Sequence, residues 1–150
     1  MTSAEPRSFD YQPPLDPFLP VIHADQDLLV IDKPSGLLSV PGKAPEHGDC
    51  VESRSRAAYA GSWIVHRLDM DTSGVMVLAM NRAAHRHLGL QFERRKTHKT
   101  YIAVVWGHLE GDTGEVDLPL ICDWPTRPKQ MVCHENGKPA LTRWEVIARS

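Results

Sequence analysis

The sequence predicts an α+β fold with a mixed, largely antiparallel central sheet. Strand-like apolar runs outnumber helical patterns, and they are short and rich in β-branched residues, as in Leu28-Leu29-Val30-Ile31 and Val75-Met76-Val77-Leu78-Ala79. Most connections between the runs are too short for the crossovers that parallel strands require. Strands that neighbour one another along the chain, with few helices among them, are typical of the α+β class.

Length and composition bound the domain organisation. With 150 residues, 41% apolar and 24% charged, the chain fits one globular domain over residues 21–150 with a core of ordinary size. No apolar run approaches the ~20 residues of a membrane helix, and the N-terminus lacks the basic-then-apolar pattern of an export signal. The three cysteines are odd in number and widely spaced, which argues against a disulfide framework. We therefore expect a protein of the reducing cytoplasm without a membrane partner.

The first part of the chain alternates between turns and apolar runs. Residues 1–20 hold five prolines and little periodicity, which predicts an extended arm. An acidic turn, Ala24-Asp25-Gln26-Asp27, precedes the apolar run from Leu28 to Ile31. Lys33-Pro34-Ser35-Gly36 follows, and its proline and glycine indicate another turn.

Two helices are predicted. The first is a short helix within Gly48 to Ala60, and the second is capped by Asn81 and runs to about Arg95. The residues expected on the buried sides are Val51, Ala57 and Ala58 in the first helix and Ala84, Leu88 and Phe92 in the second. Basic residues at the end of the second helix suit the helix dipole.

Strands are predicted on both sides of the second helix. The expected strands are Trp63–Val65 and Val75–Ala79 before the second helix, then Tyr101–Trp106, Val116–Ile121, Gln130–His134 and Leu141–Ala148 after it. Gly107 ends the first of the later group.

Charge is distributed unevenly. The net charge is -2, yet residues 82–99 hold six basic residues and one acid, Glu93, for a local net charge of +5. Because salt screens distant charges, a segregated basic patch can attract phosphates even on an acidic molecule. The segment is a candidate RNA contact, and a solvated helix end is the plain alternative.

The densest polar segment of the chain is His66-Arg67-Leu68-Asp69-Met70-Asp71-Thr72-Ser73-Gly74. It lies between the two apolar runs Trp63–Val65 and Val75–Ala79, so it predicts a loop that joins two strands. Polar residues on a loop held by a rigid scaffold are typical of a functional site.

This segment resembles the HRLD-x-x-TSG segment of the RluA-type pseudouridine synthases, within the RluA/RsuA family. Two more segments match that family, Asp32–Leu37 and Lys99–Gly107, and the likeness spans roughly residues 21–150. Gly36–Gly42 and Asp117–Gln130 look most like the branch that modifies both large-subunit rRNA and tRNA. The short arm leaves no room for the S4-like RNA-binding domain of the larger members, which favours the same branch.

The resemblance assigns roles to individual residues. It implies that Asp69 is the catalytic carboxylate and that Arg67 fills the space left by a target uridine turned out of the RNA. Tyr101 matches the family tyrosine that stacks on the target base and is a candidate for deprotonating C5. The RNA-binding set is Arg67, Tyr101 and His66, and the residues that support the loop are Leu68, Thr72, Ser73 and Gly74. We expect His66 to hold the loop by hydrogen bonding, and the Thr72 and Ser73 hydroxyls to bond the backbone.

The implied reaction breaks the glycosidic C–N bond and joins C5 of the same base to C1′ of the ribose. It involves no redox change, so no metal or other cofactor is expected. The sequence leaves three roles open for Asp69: attack on C1′, attack on C6, or removal of a sugar proton. The partner implied is RNA, namely stem-loops of 23S rRNA and tRNA, and the enzyme is expected to be a monomer.

The family pattern continues beyond Ser150 into a GRxHQLRxH-like motif whose basic residue pairs with the catalytic aspartate. The present chain has no counterpart to that motif. The resemblance thus implies a domain truncated at its C-terminus, and the alternative function is a non-catalytic RNA-binding module or an inactive fragment.

The spacing of residues along the chain excludes three other kinds of site: a phosphate loop, a hydrolase nucleophile and a zinc site. Five residues separate Gly36 from Gly42, where a phosphate loop needs four, and Ala44 replaces its Ser or Thr. Ser73 lacks the G-x-S-x-G pattern of a hydrolase elbow. The cysteines and histidines show neither a paired-cysteine nor an H-E-x-x-H spacing for zinc.

Overall fold

The computed structural model describes residues 9–126 and 129–149. It divides into two compact units, one within the first 100 residues and one from Tyr101 onward. The described residues form eight strands, paired antiparallel, and two α-helices, so the α+β prediction is confirmed. Neither α-helix in this part of the chain has the length and apolar character needed to span a membrane.

A four-stranded sheet organises the first unit, in the order β1-β2-β4-β3. Its strands are β1 (Val21–Ala24), β2 (Leu28–Lys33), β3 (Trp63–Ile64) and β4 (Gly74–Ala79). The central pair runs in register from Leu28 opposite Ala79 to Lys33 opposite Gly74. This register places the end of β2 beside the point where the polar loop enters β4.

The predicted acidic turn between β1 and β2 is confirmed. One carboxylate oxygen of Asp25 accepts from the Asp27 N–H at 2.8 Å and from the Leu28 N–H at 2.7 Å. An aspartate that bonds the backbone just ahead of it is a common way to fix a turn.

Side-chain alternation gives the sheet a buried face and a half-covered face. The fully buried apolar cluster comprises Leu29, Ile31, Leu37, Val51, Met76 and Leu78. Val51 begins the first helix, α1 (Val51–Ala58), so α1 lies on the core face. On the other face the Trp63 ring lies 5.2 Å from that of His85 in the second helix, α2 (Arg82–Glu93).

The prediction for the buried side of α1 is partly wrong. Val51 is buried, but Ala57 and Ala58 are exposed, and Arg54 and Ser55 are buried in their place. The Arg54 guanidinium donates two bonds of 2.7 Å to the Asp49 carboxylate and one of 2.9 Å to the Phe18 carbonyl. A charge that is paired and hydrogen-bonded in this way can be buried at low cost.

The cap of α2 is confirmed, because the Asn81 side chain accepts from the Ala84 N–H at 2.9 Å. The stripe predicted to be buried is less buried than expected. Ala84, Leu88 and Phe92 are only half-buried, and α2 has no fully buried residue. The reason is its place on the outer face of the sheet, where its main contact is β4.

Two antiparallel strand pairs form the second unit. They join β5 (Thr113–Asp117) to β8 (Leu141–Glu145), and β6 (Leu120–Cys122) to β7 (Gln130–Val132). The single strand predicted over Val116–Ile121 is wrong, because β5 ends at Asp117 and β6 begins at Leu120. Pro119 lies between them and has no N–H to donate to a neighbouring strand. The last two predicted strands are present but end at Val132 and Glu145.

The predicted strand Tyr101–Trp106 is wrong. The segment has no regular secondary structure, and its side chains are exposed. In the described part of the chain its backbone groups have no hydrogen-bond partner. A β-branched sequence does not make a strand without a neighbour to pair with.

Candidate active site

The polar loop from His66 to Gly74 joins β3 to β4, and hydrogen bonds to the backbone of Leu68 and of Met70 hold it in place. We call these two anchored points the fastenings of the loop. The first fastening is at Leu68, which packs against the core cluster. The buried Ser39 hydroxyl donates to the Leu68 carbonyl at 2.6 Å and accepts from the Leu68 N–H at 3.1 Å. The loop is thereby held to the scaffold directly before Asp69.

The second fastening is at Met70 and uses a buried cation. Lys33 is fully buried, and its ammonium donates to the carbonyls of Leu37 (2.7 Å), Pro34 (2.9 Å) and Met70 (2.9 Å). Burial lowers the pKa of Lys33, and the negative charges of Asp71 and Asp69 oppose that shift. The ammonium thus fixes the loop directly after Asp69 and contributes positive charge near its carboxylate.

Further backbone bonds complete the turn. The Ser35 hydroxyl donates to the Asp71 carbonyl at 2.8 Å, and the Thr72 N–H donates to the Asp69 carbonyl at 3.2 Å. Gly74 has a φ of 122°, which L side chains rarely adopt, so a glycine suits this position. The side chains of Thr72 and Ser73 form no hydrogen bond within the described residues, so the expected bonds from their hydroxyls to the backbone are absent there. Their role in shaping the loop stays a prediction.

His66 ties the start of the loop to β4 and α2. Its Nε2 accepts from the Val77 N–H at 3.0 Å, so the proton of the neutral ring lies on Nδ1. The imidazole also stacks on Phe92, with ring centroids 4.5 Å apart. Burial lowers the pKa of His66, and the positive charge of Lys99 lowers it further.

These contacts predict a pH dependence of stability. Because the folded pKa of His66 lies below that of the unfolded chain, about 6.5, the unfolded state binds more protons as the pH falls. The stabilising contribution of neutral His66 is complete above that unfolded value and is lost as the pH falls through the lower folded value. We expect the difference in unfolding free energy between the parent and His66→Asn to shrink from pH ~7.5 to pH ~5.

Urea unfolding at each pH measures this difference, and His98→Asn, at an exposed position, is the matched control. If the difference in unfolding free energy between the parent and His66→Asn stays constant over that range, protonation of His66 does not compete with the hydrogen bond from the Val77 N–H.

Two charged side chains next to the fastening at Leu68 are exposed. Arg67 and Asp69 are both exposed, on either side of the anchored Leu68. Arg67 lines a small cavity of about 290 Å³ together with Val40 and the residues from Ile64 to His66. The loop therefore presents a guanidinium and a carboxylate, two residues apart, on a backbone that cannot shift freely.

Tyr101 belongs to the second unit and is 58% exposed. Its phenol has no hydrogen-bond partner among the described residues. Its assignment to the base-binding set stays a prediction.

Sequence reasoning missed the residues that hold the loop. The sequence assigns Lys33 and Ser35 only to a turn within a segment that resembles the family, and it assigns Ser39 only to another such segment. A lysine at the end of a buried strand was the available signal, because such a residue needs several acceptors nearby.

No metal centre is built into the described part of the chain, where no three His, Cys, Asp or Glu residues cluster. Its cysteines are free thiols, and Cys50 caps α1.

Comparison with known proteins identifies the family. The sequence pattern of the RNA pseudouridylate synthase family matches residues 27–150. The chain belongs to this family, and the resemblance noted for the polar loop is confirmed.

Similar curated proteins come from several bacteria. The chain is 55% identical over 140 residues to a dual-specificity RNA pseudouridine synthase RluA of Vibrio vulnificus, covering 93% of this chain and 56% of that protein. It is 54% identical over 138 residues to the protein of the same name from Escherichia coli K12, covering 92% of this chain and 63% of that protein. The chain thus spans about three-fifths of the length of these relatives.

Two solved human structures share the fold. RNA pseudouridylate synthase domain containing 1 matches with a TM-score of 0.66 at 23% identity, over 83% of this chain and 50% of that one. RNA pseudouridylate synthase domain containing 4 matches with a TM-score of 0.57 at 22% identity, over 87% and 54%. The predicted pseudouridine synthase fold is confirmed.

Proposed function

We propose that this chain carries the catalytic loop of an enzyme that isomerises uridine to pseudouridine in structured RNA, with Asp69 as the catalytic residue. The observation that carries the proposal is the exposed Asp69 carboxylate, held between two backbone fastenings made by Ser39 and Lys33. Catalysis needs a reacting group held in a fixed position, and a loop fastened on both sides of that group provides this.

The reaction balances without any outside reagent. The C1′–N1 bond of the uridine breaks, the base turns, a C1′–C5 bond forms, and the C5 proton leaves as N1 gains one. Attack on C1′, attack on C6 and removal of a sugar proton all require Asp69 in its ionised form. The Lys33 ammonium places a positive charge beside the loop, where the negative charges of Asp71 and Asp69 oppose the lowering of the lysine pKa by burial.

Arg67 has the properties required to hold the RNA open. A uridine in a stem-loop is stacked, and turning it out costs a few kcal/mol. The planar guanidinium can stack in the vacated space while its N–H groups reach phosphates. Its exposed position beside Asp69 is consistent with that role.

The relatives' name includes dual specificity, and we propose stem-loops of 23S rRNA and tRNA as the substrates. We propose further that the enzyme acts as a cytoplasmic monomer. The isomerisation itself calls for no cofactor.

Since this chain spans only part of its relatives, turnover is best measured on an extended protein. We define it as residues 1–150 joined to the segment of the E. coli relative that follows the matched region. The assay is tritium release from C5-labelled uridine in a tRNA stem-loop, and sustained release supports the proposal. A protein that binds this RNA at the same affinity and releases no tritium would instead be a binding module.

Tyr101→Phe tests the second predicted residue. The change keeps the ring and removes the hydroxyl, so we expect RNA affinity within about twofold and a turnover rate lower by about 10²-fold or more if the phenol moves the C5 proton. Single-turnover kinetics and anisotropy binding measure the two quantities. Tyr59→Phe, in the first unit, is the control. Equal rates for Tyr101→Phe and the parent would limit Tyr101 to packing or stacking.

A further inference from the structure

A second surface of the first unit has the composition of a nucleic-acid contact. A groove of about 820 Å³ lies between β3 and the first turns of α2. It is lined by Trp63, Arg82, Ala83, His85, Arg86, His87 and Leu90. The lining thus combines one large aromatic ring with two arginines and two histidines, and it contains no acid.

The positive charge of the groove is not neutralised within the protein. Among the described residues, neither Arg82 nor Arg86 forms an ion pair. Arg82 and Arg86 lie in the first turns of α2, which has no acid before Glu93. Cations near a helix N-terminus oppose the helix dipole and weaken the helix. An external anion would relieve this unfavourable arrangement.

Trp63 is held in place for stacking. Its side chain is 42% exposed at the edge of the sheet. The His85 ring lies against it at 5.2 Å, and the His85 Nε2–H donates to the Ile64 carbonyl at 3.2 Å. The histidine therefore fixes the position of the indole, whose open side is available to a base.

The groove lies at the opposite end of β4 from the Lys33 contact that follows Asp69, although the loop itself begins three residues after Trp63. Trp63 pairs with Ala79, whereas Lys33 pairs with Gly74. Five residue steps of a strand span roughly 17 Å. An RNA strand that reached Asp69 as well as Trp63 would therefore extend over more than one nucleotide.

We propose that the groove binds the RNA substrate at an unpaired nucleotide outside the target site, with the base on Trp63 and the adjoining phosphates on Arg82 and Arg86. The proposal rests on the proposed function, since it supplies a second contact for the same RNA. Aromatic stacking next to arginines is a common way to hold single-stranded RNA without reading its sequence.

The test uses this chain and a fluorescein-labelled RNA stem-loop with short unpaired flanks. Anisotropy between about 50 and about 200 mM KCl gives both affinity and its salt dependence. We expect the double variant Arg82→Ala/Arg86→Ala to raise Kd about tenfold and to lower the slope of log K against log salt by about two. Arg56→Ala, an exposed arginine on α1, is the control and should leave both quantities unchanged.

Trp63 is tested separately. Trp63→Leu should raise Kd at least about fivefold, whereas Trp63→Phe, which keeps a stacking face, should stay within about twofold. If the parent binds this RNA and the arginine double variant binds it equally well with the same salt slope, the groove proposal is wrong and the proposed function stands. If the parent chain does not bind this RNA at all, the groove proposal fails, and the proposed function is judged separately by the tritium assay on the extended protein.

Discussion

We expect Asp69→Asn in the extended protein to abolish pseudouridine formation and to leave RNA affinity within about twofold. The amide keeps the size and shape of the carboxylate, so the loop and its fastenings at Leu68 and Met70 are retained. It cannot act as a nucleophile or as a base, and we expect the single-turnover rate to fall by about 10³-fold or more.

Asp71→Asn is the matched control, because Asp71 is an exposed carboxylate of the same loop. Its backbone carbonyl, which accepts from Ser35, is unaffected by the change. We expect a rate within about threefold of the parent. If the two variants had exchanged effects, Asp71 would be the catalytic residue; comparable activity for Asp69→Asn and the parent would remove Asp69 from the reaction.

The second large effect is expected at Lys33. In Lys33→Met the three carbonyls of Pro34, Leu37 and Met70 lose a charged donor. The Met70 carbonyl still accepts from the Gly36 N–H at 2.9 Å, but the Pro34 and Leu37 carbonyls lose their donor, and we expect the free energy of unfolding to fall by about 2 to 4 kcal/mol. Because Met70 follows Asp69 and loses one of its two donors, the carboxylate is held less firmly, and turnover in the extended protein should fall even under conditions in which the protein is fully folded.

Urea unfolding measures the first effect, and hydrogen exchange of the Thr72 amide reports the loop. Lys43→Met provides the control, because Lys43 is exposed. Unchanged stability and unchanged exchange in Lys33→Met would show that the ammonium does not hold the loop.

The sequence predicted the polar loop and the strands on either side of it, because local signals define them. Apolar runs on both sides of a polar segment are visible without tertiary information, and the loop, β4 and the Asn81 cap follow from such signals. The fastenings were not predictable in the same way. They join Lys33 to Met70 across 37 positions and Ser39 to Leu68 across 29, so only the β2–β4 register reveals them.

Two of the wrong predictions, those for α1 and for Tyr101–Trp106, have different physical causes. Helical periodicity predicted that Ala57 and Ala58 are buried because both residues are apolar. It contains no information about the Asp49 and Phe18 partners that allow Arg54 to be buried. For Tyr101–Trp106 the local preference favours a strand, but a strand also needs a paired neighbour. Composition alone carries no information about that neighbour.

Appearance of pseudouridine in a tRNA stem-loop treated with the extended protein, quantified by chromatography of the digested nucleosides, tests the central claim most directly. We expect one tritium released from C5 for each pseudouridine that the protein with Asp69 forms, and neither tritium release nor pseudouridine from the protein with Asn at that position. Pseudouridine formed at equal rates by both proteins, or by neither although both bind the RNA, would contradict it.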